Sequence, residues 1–327
     1  MAGRADTLGR RTHQAIGKQY KKILRYEAGV LEDRDPEELH QMRVNMRRLR
    51  SIAEGFSSIL ELPKHASEKR IAKFSRTLGQ LRDLDVLIDT LQKDYFPKLT
   101  DKEKPHYINI LSALEERRTK SLEDVRQLLV SKEYLEFKSS LEGWITKPVL
   151  FGVARLPVTL VLPDFLFPMV TRLMINPGWL VGLSVRNGEL HPSTNRSPVA
   201  VNRLLCKQGS VLHSLRKQVK RVRYQMSFFT DLYGEALGRY IEDMKNFQET
   251  LGTIQDSLVL EALFCEILGT RFKRQLPTAV KQLADGRYEA WQNWDALRNR
   301  YMLEETRQAF RLELLKMNTS AYSLPVR

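Results

Sequence analysis

Two short segments of this 327-residue chain carry the residues best suited to chemistry. One is His40-Gln-Met-Arg43-Val-Asn-Met-Arg47-Arg48-Leu-Arg50, and the other is His213-Ser-Leu-Arg216-Lys-Gln-Val-Lys220-Arg221-Val-Arg223. At about 100° per residue, His40, Arg43, Arg47 and Arg50 fall on one helix edge, and His213, Arg216, Lys220 and Arg223 do the same. Leu39, Met42, Met46, Leu49, Ala53 and Phe56 form an apolar stripe to one side of the first row. Leu212, Leu215, Val219, Val222, Met226 and Phe229 repeat it beside the second. A row of cations meant for bulk water would stand opposite the apolar stripe. Here it borders the buried face, which suits the lining of a groove. Each row spans about 15 Å at 1.5 Å per residue, and arginine forks bond phosphate oxygens in bidentate fashion. The chemistry implied is the binding of a polyanion.

The two histidines admit three readings: an imidazole donating to phosphate, a structural hydrogen bond at a helix start, or metal ligation and phosphohistidine chemistry. A neighbouring polyanion would raise the pKa in the first case. A metal site would want further His, Cys or carboxylate ligands close by, and neither segment has them. Arg48 and Arg221 point away from the rows, so they are expected to pair with Asp83 and Asp256. His13, His65, His106 and His191 read as isolated surface or loop residues.

The elements that position these rows are themselves repeated. At the same 173-residue offset, Phe74-Ser-Arg-Thr77-Leu78-Gly79-Gln-Leu-Arg-Asp83 matches Phe247-Gln-Glu-Thr250-Leu251-Gly252-Thr-Ile-Gln-Asp256. From Leu39 to Leu87 there are 13 identities in 49 ungapped positions, which points to one helical unit duplicated and fused. The period is too long for a solenoid. The expected fold is all-α, with two helical bundles related by internal pseudo-twofold symmetry around a basic central channel. Gly79 and Gly252 fall mid-helix, where glycine costs about 1 kcal/mol relative to alanine, so close helix packing is the reading rather than a phosphate loop.

The formal charge of +14 points to a polyanionic partner: nucleic acid, polyphosphate or an anionic membrane surface. The two cysteines, Cys206 and Cys265, lack ligand or redox spacing and suit free, mostly buried thiols in a reducing compartment. The N-terminus has no apolar h-region, and the protein reads as cytoplasmic. No nucleophile-base-orienter set or paired-carboxylate motif is present, so no enzymatic activity, metal or cofactor is expected.

Along the chain, residues 8 to 147 read as a first helical half. A helix at 8 to 31 places Lys18 and Lys21 beside its apolar stripe. Asp35-Pro36-Glu37-Glu38 starts the first histidine helix, a helix from about 67 to 92 carries Leu-Gly-x-x-x-Asp, and two more fill 101 to 145. Residues 199 to 317 form the second half, with helices near 198 to 232, 236 to 268, 275 to 284 and 287 to 317. Between them lies a segment from 148 to 198, rich in Val, Leu and Phe and punctuated by Pro148, Pro157, Pro163, Pro168 and Pro177. Its longest uncharged run, Leu173 to Val185, has 13 residues, too short for a membrane span. It is expected to be an ordered apolar strap, or a surface that meets a membrane or partner protein. Within it, Asn187-Gly188 through Asn195 reads as loop chemistry. Trp144, Trp179, Trp291 and Trp294 read as packing residues.

The paired motifs resemble those of the CHAD family, the conserved histidine α-helical domain, whose hallmark is His-x-x-Arg-x-x-x-Arg/Lys-Arg-x-Arg in two related halves. Leu78-Gly79-Gln-Leu-Arg82-Asp83-Leu-Asp85-Val86 is similar to the family's companion motif. The resemblance covers roughly residues 8 to 315 outside the strap. It implies a helical double bundle whose basic channel binds inorganic polyphosphate without catalysis. The carried-over ligand-facing residues are His40, Arg43, Arg47, Arg50, His213, Arg216, Lys220 and Arg223, with Lys18, Lys21, Lys73 and Arg76 as weaker contributors. An association with polyphosphate granules would follow. Lys69, Lys73 and Arg76 align with Glu242, Asn246 and Glu249, so the channel is expected to be more basic on the first-half side. No Glu-x-Glu-x-Lys motif of a companion triphosphate-tunnel domain occurs, which fits a stand-alone binding module. An RNA-binding protein is the main alternative, although no aromatics lie between the cations of either row to stack bases. An adaptor docking through residues 148 to 198 is the third.

Overall fold

The structure, a computed structural model, describes residues 6–192 and 196–317. Its helices are α1 (Leu8–Glu32), α2 (Pro36–Gly55), α3 (Glu68–Thr90), α4 (Lys104–Val130), α5 (Lys132–Thr146), α6 (Val158–Met174), α7 (Pro198–Ser227), α8 (Glu235–Leu268), the single turn α9 (Phe272–Gln275), α10 (Pro277–Met302) and α11 (Glu304–Glu313). A two-stranded hairpin, β1 (Leu183–Arg186) and β2 (Glu189–Pro192), is the one sheet among the described residues. The fold is all-α. Two compact units divide it: one takes the chain up to Pro97 with Ile108–Leu162, the other Lys98–Tyr107 with the chain from Pro163 onward. The apolar segment is therefore shared between units, and the division falls inside α6.

Local sequence sets the helix ends. The Asp35 carboxylate accepts from the Glu37 N–H at 2.8 Å and Pro36 occupies the first turn of α2, as its missing N–H allows. Ser197 and Pro198 repeat the arrangement at α7, where the Ser197 hydroxyl accepts from Ala200 N–H. In the first unit Ile16, Tyr20 and Ile23 of α1 meet the core formed by Met42, Met46 and Leu49 of α2 and Phe74 and Leu78 of α3, all buried. The Phe74 ring stands edge-on to Tyr134 and Phe137 of α5. In the second unit Leu215, Val219 and Val222 of α7 are buried, as are Phe247, Leu251 and Ile254 of α8 and Trp294 and Tyr301 of α10.

Two element expectations change. The chain near Asp285-Gly286 does not break: α10 runs through it, because Leu283, Arg287 and Ala290 on either side are buried and hold the helix against the mid-helix glycine penalty. The break comes at Leu303. The loop expected after residue 186 is instead the turn of the hairpin. Arg186 pairs with Glu189, and Asn187 (φ 53°) and Gly188 (φ 80°) supply the two left-handed residues that a two-residue hairpin turn requires. Residues 193–195 of that stretch lie outside the described residues.

The described residues of the apolar segment fall into defined elements, and more of them are helical than the prolines suggested. Pro163 and Pro168 lie inside α6. Residues Val158–Leu180 are long and apolar enough to cross a membrane by length and composition alone, with mean hydropathy 1.6. This narrows the argument from the short uncharged run, because Asp164 and Arg172 interrupt the run without removing the hydropathy. Val158, Leu162, Leu166, Val170 and Leu173 are nevertheless buried within the protein. Further on, Trp179 stacks on Trp294 at 5.6 Å and on Tyr301 at 5.8 Å, and its indole N–H donates to Leu173 O. The four tryptophans are all buried, as packing residues should be.

Candidate functional site

In the first unit α2 and α3 pack against each other, and the row borders their contact. His40, Arg43, Arg47 and Arg50 are all half-buried, as a row flanking an apolar stripe should be. The Arg43 guanidinium lies over Gly79 of α3, where a Cβ would come within 3.4 Å of Nε. It then donates from Nη2 to Asp83 Oδ1 at 2.8 Å. Here the expected partner changes: Asp83 is held by Arg43, while Arg48 is exposed on the far side of Leu49. Arg50 donates from Nε to Glu68 Oε1 at 2.7 Å.

The second unit builds the same device from α7 and α8. A Cβ on Gly252 would fall 2.9 Å from Arg216 Nη2 and 3.3 Å from its Nε, so this glycine also makes room for an arginine. Arg216 Nε donates to the backbone Gln248 O at 3.2 Å, and Arg223 Nε donates to Gln248 Oε1 at 3.1 Å. Gln248 thus anchors two cations of the row. Its role was invisible in the sequence, where it aligns with Ser75. The glycine expectation is refined as well: the space at Gly79 and Gly252 is filled by arginine side chains rather than by another backbone.

These contacts alter the charge balance expected of the rows. Arg43 and Arg50 bond carboxylates, whereas Arg216 and Arg223 bond the neutral oxygens of Gln248. Lys73, a further cation of the first half, is bonded to Glu133 at 2.6 Å, while Lys18, Lys21 and Arg76 are exposed on α1 and α3. Arg82, outside the expected set, lines a cleft with Glu37, Asp85 and Asp89. It sits close enough to His40 to act on its charge, and its buried Nε has no hydrogen-bond partner.

Both histidines are held below the ordinary imidazole pKa. For His40 burial is the main cause; Glu37 opposes it, and Arg82, Arg43 and Arg47 add to it. For His213 burial again comes first, followed by Lys217 and Arg216, with Asp256 opposing and Lys220 adding. Both are therefore neutral at pH 7. His213 sits in the middle of α7, so the helix-start reading does not apply to it, and its buried Nδ1 has no hydrogen-bond partner. Beside it opens a cleft of about 700 Å³ lined by Gly209, Leu258, Gln255, Lys273 and both cysteines. The cysteines are exposed rather than buried, because each faces this opening between α7 and α8. Among the described residues no cluster of ligating side chains could hold a metal ion.

Several other polar residues make contacts that hold the fold. His13 bonds Ile145 O at 2.7 Å and packs on Trp144, so it is not an isolated surface residue. His65 lies 3.1 Å from Glu136. Arg118 bridges Asp33 and Asp85 in the first unit, and fully buried Arg287 donates to Ser257, Asn202 and Glu261 in the second. The strap steadies the second row: Gly178 abuts Leu215, where a Cβ would meet the leucine Cβ at 2.6 Å, and Asn176 bonds Gln218 at 2.6 Å.

The family model of the CHAD domain matches residues 14–265, which include both rows and both Leu-Gly-x-x-x-Asp segments. The chain belongs to the CHAD domain family. A solved structure described as the CHAD domain from the plant Ricinus communis is similar over 95% of this chain and 92% of its own, with a TM-score of 0.57 at 21% identity. PptA from Streptomyces chartreusis is similar over 88% of this chain and all of its own, with a TM-score of 0.56 at 18% identity. At these identities the likeness concerns the CHAD fold. No curated protein matches the chain significantly.

Proposed function

We propose that this CHAD protein binds inorganic polyphosphate along its two basic rows, without turning it over. The observation that carries the reading is the repeated placement of an arginine over a glycine, Arg43 over Gly79 and Arg216 over Gly252, within a row of further cations. A guanidinium fixed before the ligand arrives loses less freedom on binding, and each charge-assisted bond to a phosphate oxygen is among the strong hydrogen bonds. Neutral His40 and His213 can each donate one N–H, and gain a proton as the polyanion approaches. The ligand favoured is all phosphate rather than nucleic acid. Tyr224, which follows Arg223 in the second row's helix, is buried under that arginine and offers no ring to a base. A cytoplasmic setting belongs to the same reading.

The test compares long-chain polyphosphate, single-stranded RNA of equal charge and ATP at one near-physiological salt concentration. Polyphosphate should bind tightest, with log affinity falling steeply against log salt as counterions are released and with no phosphate set free. Replacing Arg43 and Arg216 together by Ala should cost about 3 kcal/mol or more, at ~1.5–3 kcal/mol for each charge-assisted contact, with helical circular dichroism unchanged. Lys132→Ala, at an exposed site, should bind as wild type. Undiminished binding by the double variant, or preference for RNA, would sink the assignment.

A further inference from the structure

The stretch from Lys147 to Leu160 in the first unit carries an exposed apolar ridge that the binding rows do not use. Val149 is 52% exposed, Phe151 44%, Val153 47%, Leu156 39% and Leu160 62%. Such side chains are ordinary when scattered singly, but five within twelve residues are not. The ridge is also held rigidly. Glu61 N–H donates to Val149 O and Phe151 N–H to Ile59 O, pairing one end with the chain after α2. Leu8 N–H donates to Leu156 O and Val158 N–H to Asp6 O, pairing the other end with the start of α1. Between them Ala154 is buried against Gly9, where a Cβ would come within 2.8 Å of Ala154 O. The backbone is thus satisfied and fixed while the apolar side chains project outward.

The charge around this ridge indicates what covers it. No acidic residue occurs from Gly143 to Pro163, while Lys147 and Arg155 are exposed within that stretch. Of the nearby carboxylates, Asp6 is neutralised by Arg11 at 2.6 Å, which leaves Glu61 together with Glu142 and Asp164 just outside the two ends of the stretch. A second copy of the chain would set Lys147 and Arg155 against themselves, on molecules that each carry +14. An anionic lipid surface meets both needs. It accepts an irregular apolar ridge without a matching groove, and its headgroups neutralise the rim cations. We infer that the ridge Val149, Phe151, Val153, Leu156 and Leu160 inserts into the interface of an anionic membrane, with Lys147 and Arg155 at headgroup level. This binding is peripheral, and it does not depend on the polyphosphate reading.

Flotation of the full chain at near-physiological salt provides the test, using vesicles of two parts phosphatidylcholine to one part phosphatidylglycerol, with pure phosphatidylcholine beside them. The wild type should float with the anionic vesicles and stay behind with the neutral ones. Phe151→Ser with Leu160→Ser should weaken partitioning by at least about tenfold. Lys147→Glu with Arg155→Glu, which touches no core residue, should weaken it comparably. Arg43→Ala with Arg216→Ala should still float, which separates the ridge from general basicity and from the binding rows. The inference is overturned if the wild type does not float, or if both ridge variants float equally well. It is overturned too if Phe151→Ser instead dissolves a concentration-dependent dimer seen by light scattering, since the ridge would then belong to a second copy.

Discussion

Gly252 lies directly beneath the guanidinium of Arg216, leaving less room than a methyl group would need, since an added Cβ would sit 2.9 Å from Nη2. The glycine is thus tied to the position of one cation. Gly252→Ala removes a mid-helix glycine from α8, which favours the helix by up to about 1 kcal/mol. It also pushes aside the tip of a flexible side chain, a small cost to folding. We expect thermal stability to hold or rise while polyphosphate affinity falls severalfold. Gly79→Ala, whose Cβ would meet Arg43 Nε at 3.4 Å, should stabilise similarly with a smaller loss of affinity. Melting curves and binding isotherms on the two variants check the contrast. Equal losses of affinity would show that the glycines do not position the arginines.

Asp83 competes with any polyanion for Arg43. The carboxylate is 72% exposed, so the pair adds little to stability, about 0.2–1 kcal/mol at most. Asp83→Asn should leave the fold intact and raise polyphosphate affinity severalfold, with a steeper salt dependence, because one more uncompensated cation enters the row. The same change at Glu68, which holds Arg50, should act in the same direction. A fall in affinity on Asp83→Asn would mean that the carboxylate orients Arg43 productively rather than competing for it.

The spacing that produced the rows was legible because it is local: a helix edge follows from the residue period alone. The partners were not. Arg48 was given Asp83 by its angle on α2, but α3 passes on the row side, so Arg43 reaches Asp83 first. Gln248 could not be found at all, since nothing in one glutamine shows that its backbone and side-chain oxygens will face two arginines. Buried Arg287 escaped for a related reason. A charge inside the core is tolerable only with Ser257, Asn202 and Glu261 around it, and those lie on three other turns of chain. The helix through Asp285-Gly286 was misread because local propensity was weighed without the burial on both sides that overrides it.

The two depressed histidines give binding and folding opposite pH dependences. Their folded pKa lies below the ordinary 6.5. The stabilising contribution of the neutral form is therefore fully present above pH 6.5 and is lost as pH falls through the depressed value. A bound polyanion favours the protonated imidazole, so polyphosphate affinity should rise as pH falls from 8 toward 6 at constant ionic strength. Titration calorimetry in buffers of different ionisation enthalpy should detect proton uptake on binding. His40→Gln with His213→Gln should flatten both profiles. Binding that is independent of pH over this range would exclude protonation of either histidine in the complex.

Trp179 tests whether the proline-rich strap is part of the machinery or only a connection. It is 1% exposed, stacks on Trp294 and Tyr301, and meets Phe247 edge-on at 5.2 Å. Its neighbours Asn176 and Gly178 press against Gln218 and Leu215 on α7, one turn from the cations of the second row. Trp179→Ala should cost about 3–5 kcal/mol, as expected for truncating a large buried aromatic. Trp179→Phe should cost less, keeping the ring contacts but losing the bond to Leu173 O. Because the strap's grip on α7 loosens with it, Trp179→Ala should also weaken polyphosphate binding under conditions where the protein remains folded. Urea unfolding gives the first quantity and binding at low temperature the second. If stability falls while affinity stays at the wild-type value, the strap supports the core without positioning the row.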